Sequence, residues 1–193
     1  PPPMPTPPGN APAGMTIPPV DAVGNRITVN YGISTPQALW NLRSAYNVAA
    51  LNCLEMQYVP ILDGYKRFLK VYAKQLDAAN RKVDASFQAR QKGRAGTVAR
   101  ETYQTQVYNF FSLPPVDSGL CRAAMGLTSE LETVAPTQLE AWSVGGLARM
   151  EAPFKAFFDS YDRYRADLAL WQATYGVTRG PAATGAVMQG APR

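Results

Sequence analysis

Apolar side chains between residues 35 and 175 recur every three or four positions, the period of one helix face. The clearest run is Ile61, Tyr65, Phe68, Tyr72, Leu76, Ala79, Val83 and Phe87. It predicts one helix from near Pro60 to just before Gly93, with a stripe of about seven turns and roughly 40 Å. A preceding helix starts at Thr35-Pro36, with threonine as cap and proline in the first turn. Its inward face is Leu39, Leu42, Tyr46, Ala49, Ala50 and Cys53. Gly93 to Gly96 predicts a turn and then a third helix over 97–112, with Val107, Phe110 and Phe111 inward. Pro114-Pro115 ends that helix and opens a fourth, whose face is Leu120, Ala123, Ala124, Leu127, Leu131 and Val134. A short helix from Gln138 to about Ser143 is expected to stop at Gly145-Gly146. The last helix carries Phe154, Phe157, Phe158, Tyr161, Tyr164, Leu168, Trp171 and Tyr175, with Pro153 starting or kinking it.

The pattern fails at both ends. Residues 1–34 hold nine prolines and read as extended, polyproline-like chain outside the core. Within them Arg26-Ile27-Thr28-Val29-Asn30-Tyr31 alternates like a strand that would need a partner. Residues 176–193, rich in Gly, Ala and Pro, read as an extended tail. The predicted fold is therefore all-α: an antiparallel bundle of four or five main helices over 35–175, with an extended segment at each end. No repeat period emerges.

Composition narrows the chemistry. With no histidine in 193 residues, the chain lacks the commonest general base and the commonest metal ligand. Two cysteines alone do not make a zinc site. Cys53 and Cys121 are then either two buried thiols or one disulfide, and the disulfide is the expected state if the chain is exported. It would close a loop of about 69 residues, for which chain entropy gives about 4 kcal/mol. The start at Pro1 fits a processed N-terminus after loss of a signal peptide. No run of about 18 apolar residues suggests a membrane span.

Ala38-Leu39-Trp40-Asn41-Leu42-Arg43 and Asn47-Val48-Ala49-Ala50-Leu51-Asn52-Cys53 resemble segments of small exported alphaproteobacterial proteins. Those proteins pair an Asn-Val-Ala-Ala-Leu-x-Cys helix with a long Tyr/Lys/Ala-rich helix and a later cysteine. The matching parts here are Tyr65 to Phe87, Phe110-Phe111 and Cys121, within about residues 35–130. The resemblance implies export, helices and a cysteine pair. It assigns no activity.

Charge is uneven. Residues 59–100 carry ten Lys and Arg against three acids, while the whole chain is only +5. Asp63 with Arg67 and Asp77 with Arg81 are spaced as helix-surface pairs. Arg90, Lys92, Arg94 and Arg100, around the 93–96 turn, have no such compensation and are the candidate anion contacts. Glu130 with Glu132, and Asp159 with Asp162, are the carboxylate pairs. Glycosidase chemistry needs two carboxyls on one cleft, and neither spacing suggests one. Nucleophile-elbow and phosphate-loop motifs are missing from the sequence. The expectation is a non-catalytic exported protein without a cofactor, an accessory or structural subunit of a cell-envelope or extracellular assembly. Protein partners would contact the Pro-rich head and the C-terminal tail; nucleic acid is not expected, and membrane contact would be peripheral at most. The alternative is a periplasmic binding module for an anionic or aromatic small ligand.

Overall fold

The computed structural model describes residues 1–176. It is all-helical: among the described residues there are six α-helices and no strand, where the pattern suggests four or five main helices. They are α1 (Thr35–Asn52), α2 (Val59–Val71), α3 (Ala73–Arg90), α4 (Arg94–Phe111), α5 (Asp117–Glu130) and α6 (Leu139–Tyr175). The predicted Gly/Ala/Pro tail falls, from 177 on, outside the described residues.

The single long helix predicted from Pro60 is two, separated at Tyr72. Neither Pro nor Gly breaks it. Backbone bonds still run through the junction, from Tyr72 N to Phe68 O at 3.1 Å and from Leu76 N to Tyr72 O at 2.9 Å. The apolar stripe therefore continues across it, and all eight of its residues are buried. The Tyr72 hydroxyl lies 2.9 Å from Leu131 O and 2.8 Å from Val134 O, pinning this junction to the end of α5.

The opposite difference occurs at α6. Gly145-Gly146 and Pro153 do not divide it, and its 37 residues span about 55 Å. Both features serve close approach to neighbours. A Cβ on Gly146 would lie 3.2 Å from Leu42 Cδ2, so the glycine lets α1 and α6 meet. A Cβ on Gly119 would lie 2.7 Å from Pro153 Cβ, so α5 is hollowed where the proline ring bulges. A proline inside a helix costs one backbone bond and crowds the preceding turn; tight packing around it holds the helix together.

The core lies between α1 and the faces of α6, α5 and α2–α3. Leu39, Leu42, Tyr46 and Ala49 of α1 meet Phe68 of α2, Phe111 of α4, Leu120 of α5 and Phe154 of α6. The rings of Phe110 and Phe154 stack at 4.9 Å, and Phe111 meets Phe154 edge-on at 5.3 Å. The stripe of α6 is buried from Phe154 to Tyr164, while Tyr175 is exposed.

The head departs most from its sequence reading. It is not a featureless extended strap. Pro8–Asn10 form a short 3-10 turn, and Val20 and Arg26 make one isolated antiparallel bridge in place of a strand. Ala11 is buried in the core, and Met15, Ile17, Val29 and Ile33 pack against it.

Candidate functional site

Cys53 ends α1, its N–H donating to Ala49 O at 2.9 Å. Cys121 lies near the start of α5. The two form a disulfide with Cα atoms 5.6 Å apart, and both are buried. The bridge joins the exit of α1 to the entrance of α5 around a loop that contains α2, α3 and α4.

A second tie joins the head to α6. The side chain of Arg26 is only 5% exposed, and its guanidinium donates to Asp159, to Asp162 at 2.8 Å and to Pro18 O at 2.8 Å. Burial alone would lower the Arg26 pKa; hydrogen bonds to the two aspartates outweigh it and raise it. Asp159 and Asp162, which the sequence places on an exposed helix face, thus clamp one arginine more than 130 positions away. The only sequence signal for this was their i,i+3 spacing.

Beside the clamp lies a buried polar network. Glu151 of α6 accepts from Thr28 Oγ1 and from Asn30 Nδ2 at 3.1 Å, and pairs with Lys155 at 2.8 Å. Asn41 Nδ2 donates to Asn30 Oδ1 at 2.9 Å and to the Tyr103 hydroxyl at 2.6 Å, which donates to Val29 O at 3.0 Å. These bonds fasten the head to α1, α4 and α6 together. Further along, Tyr161 donates to Pro12 O and accepts from Met15 N at 3.0 Å, while Trp171 Nε1 donates to Pro2 O at 2.9 Å.

The candidate anion contacts do not form one patch of free charge. Arg100 donates to Asp84 and Asn80, which corrects its reading as uncompensated. The signal missed was a partner 16 residues back, across the α3–α4 turn. Arg90 lies over the Phe87 ring at 5.5 Å, and Lys92 and Arg94 remain exposed at the turn. The surface pairs are corrected in part. Asp77 does pair with Arg81, but Arg67 reaches Glu132 at 3.0 Å, leaving Asp63 to Lys66 at 3.9 Å. Glu130 pairs with Arg149, so the two glutamates serve different neighbours.

Between α1, α3 and α4 lies an open cleft of about 470 Å³. Trp40 forms its floor, with the Arg43 guanidinium 4.8 Å and the Arg100 guanidinium 5.8 Å from its ring centre. Trp40 Nε1 donates to Gln104 Oε1 at 2.8 Å, and Tyr108 borders the cleft.

Four interior tyrosines, Tyr46, Tyr65, Tyr72 and Tyr103, have pKa values raised mainly by burial. Their phenols are neutral in the folded state where an unfolded phenol, with pKa about 10, would ionise. The stabilisation from a raised folded pKa is complete below pH about 10 and is lost as pH rises beyond it. Phenolate absorbance should therefore show these four tyrosines ionising above the ordinary phenol range while helical circular dichroism persists, and at the ordinary range once the chain is unfolded in denaturant. The same phenolate titration curve for the folded and the denatured chain would contradict this.

Compared with protein-family models, curated proteins and solved structures, the chain matches none.

Proposed function

We propose that this chain is a non-catalytic exported protein, an antiparallel helical bundle that acts as an accessory or structural subunit of a cell-envelope or extracellular assembly. The observation that carries the reading is the way the head is built onto the body. Pro12, Met15, Leu113, Pro114 and Pro115 line an apolar cleft of about 470 Å³ where the head meets the α4–α5 connection. Such a rigid, proline-lined surface loses little entropy on docking a protein partner. The disulfide supports export, since such bridges persist in oxidising compartments, periplasmic or extracellular. The ion pairs of Glu130, Glu132, Glu151, Asp159 and Asp162 support the non-catalytic part, because each carboxylate is turned to a cation of this chain itself. The resemblance of residues 38–43 and 47–53 to segments of small exported alphaproteobacterial proteins would imply export as well. Partner contact would use the outer face of the head and the C-terminal tail. The test is affinity capture of the full chain from envelope extracts, with its mass measured by light scattering. A stoichiometric protein partner supports the assignment; a monomer that recovers none overturns it.

One observation favours a second reading, a periplasmic binding module. The Trp40 cleft offers Arg43, which has no carboxylate partner among the described residues, beside the Trp40 and Tyr108 rings. That is a fit for an anionic or aromatic small ligand. A thermal-shift series of aromatic carboxylates separates the readings, because a ligand that prefers the folded state raises its stability.

A further inference from the structure

Five large apolar side chains stand in water at the corner where α1 hands over to α2: Leu51, Leu54, Met56, Val59 and Leu62. Leu54 is 78% and Met56 is 90% exposed. Single exposed apolar residues are ordinary. Five within twelve positions at one corner are a patch, and patches mark contact surfaces. The core does not need them, because Cys53, Tyr58, Ile61 and Tyr65 fill the inward positions of the same stretch. The corner is also anchored. The disulfide grips the chain at Cys53, between Leu51 and Leu54, and fastens it to α5.

Beyond the apolar corner the same outer face of α2 turns cationic. Leu62, Lys66 and Lys70 follow at four-residue spacing on α2, and Lys74 continues the spacing in the first turn of α3, all exposed. Among the described residues Lys70 and Lys74 have no carboxylate within ion-pair distance, and Lys66 has only Asp63 at 3.9 Å. The acid inside the corner, Glu55, accepts from Gln57 Nε2 at 2.8 Å. An apolar tip continued by a lysine row matches the layering of an anionic bilayer, with acyl chains below and phosphates above. A protein partner is the poorer fit, because lysine is depleted from protein interfaces.

We propose that this corner and its lysine row form a peripheral docking surface for an anionic lipid bilayer. The apolar side chains enter the acyl boundary, and the lysines lay their stems along the surface and reach the phosphates. No described helix is long and apolar enough to cross a membrane, so the contact is on one leaflet. It does not depend on whether the chain also has a protein partner.

The test is co-sedimentation of the full chain with phosphatidylcholine vesicles that contain or lack phosphatidylglycerol. The expected result is binding to the anionic vesicles, weakened by salt. Leu54→Ser/Met56→Ser should lower the partition coefficient by at least about tenfold, since two apolar side chains are lost from the acyl boundary. Lys66→Gln/Lys70→Gln should lower it by a similar factor on anionic vesicles only. All four positions are exposed, and circular dichroism checks that both variants fold. Absence of binding to anionic vesicles overturns the proposal, as does binding that the Leu54/Met56 variant leaves unchanged. A wild-type dimer in sedimentation that this variant abolishes would assign the corner to a second copy of the chain and overturn it equally.

Discussion

Cys53→Ser/Cys121→Ser should unfold in guanidinium at a much lower midpoint, with a loss of about 4 kcal/mol of stability. The cysteines are 68 positions apart in sequence, and a cross-link that closes a loop of this size removes about that much free energy from the unfolded chain. For a chain of this length the corresponding fall in Tm is on the order of 10 °C. The native helices need not change, because the sulfurs already meet where α1 ends and α5 begins. The serine variant should therefore keep its helical circular dichroism at low temperature. Coincident unfolding curves for the oxidised and reduced wild type would show that the bridge does not act as a staple.

Arg26→Met should release the head while the helices stay folded. Methionine keeps much of the buried stem volume but loses the ties to Asp159, Asp162 and Pro18 O. The aspartate side chains are 56% and 49% exposed, so water solvates them once the arginine is gone. The cost is therefore about 1–3 kcal/mol, the range for lost charged hydrogen bonds, and not the larger penalty of a stranded buried charge. Amide exchange in residues 12–31 should speed up by about tenfold or more, since each 1.4 kcal/mol is a factor of ten in local opening. Exchange in the middle of α1 should not change. If residues 12–31 exchange at the wild-type rate, the clamp is not what holds the head.

Both predictions concern ties between distant parts of the chain, and the two differ in how far the sequence exposes them. Two cysteines in a chain without histidine allow few arrangements, so their pairing can be anticipated without coordinates. Arg26 is one of nineteen cations, and nothing near it names its partners. The same holds for Arg100, whose pairing with Asp84 follows from the α3–α4 turn and removes it from the cationic group around that turn. The Trp40 cleft was likewise invisible, because Trp40, Arg43, Arg100 and Tyr108 come together only when α4 packs beside α1.

The corner at 51–62 shows the limit from the other side. Its residues are plain in the sequence, yet Leu51 and Val59 could equally have been core. Only burial of Cys53, Tyr58 and Ile61 in their place leaves the apolar neighbours facing outward.

The sequence by itself determined the all-α class and most of the inward positions, and it limited the cysteines to two thiols or one bridge. Helical periodicity is a local property, written at spacings of three and four, and two cysteines offer a single intramolecular pairing. Only the tertiary structure decided the continuity of α6 through Pro153, the docking of the Pro-rich head and the partners of its arginine. Those outcomes depend on what stands opposite each residue across the core: Gly119 makes room for a proline, and two aspartates wait for a guanidinium. Contacts across 34 to 136 positions leave no period for a sequence to display.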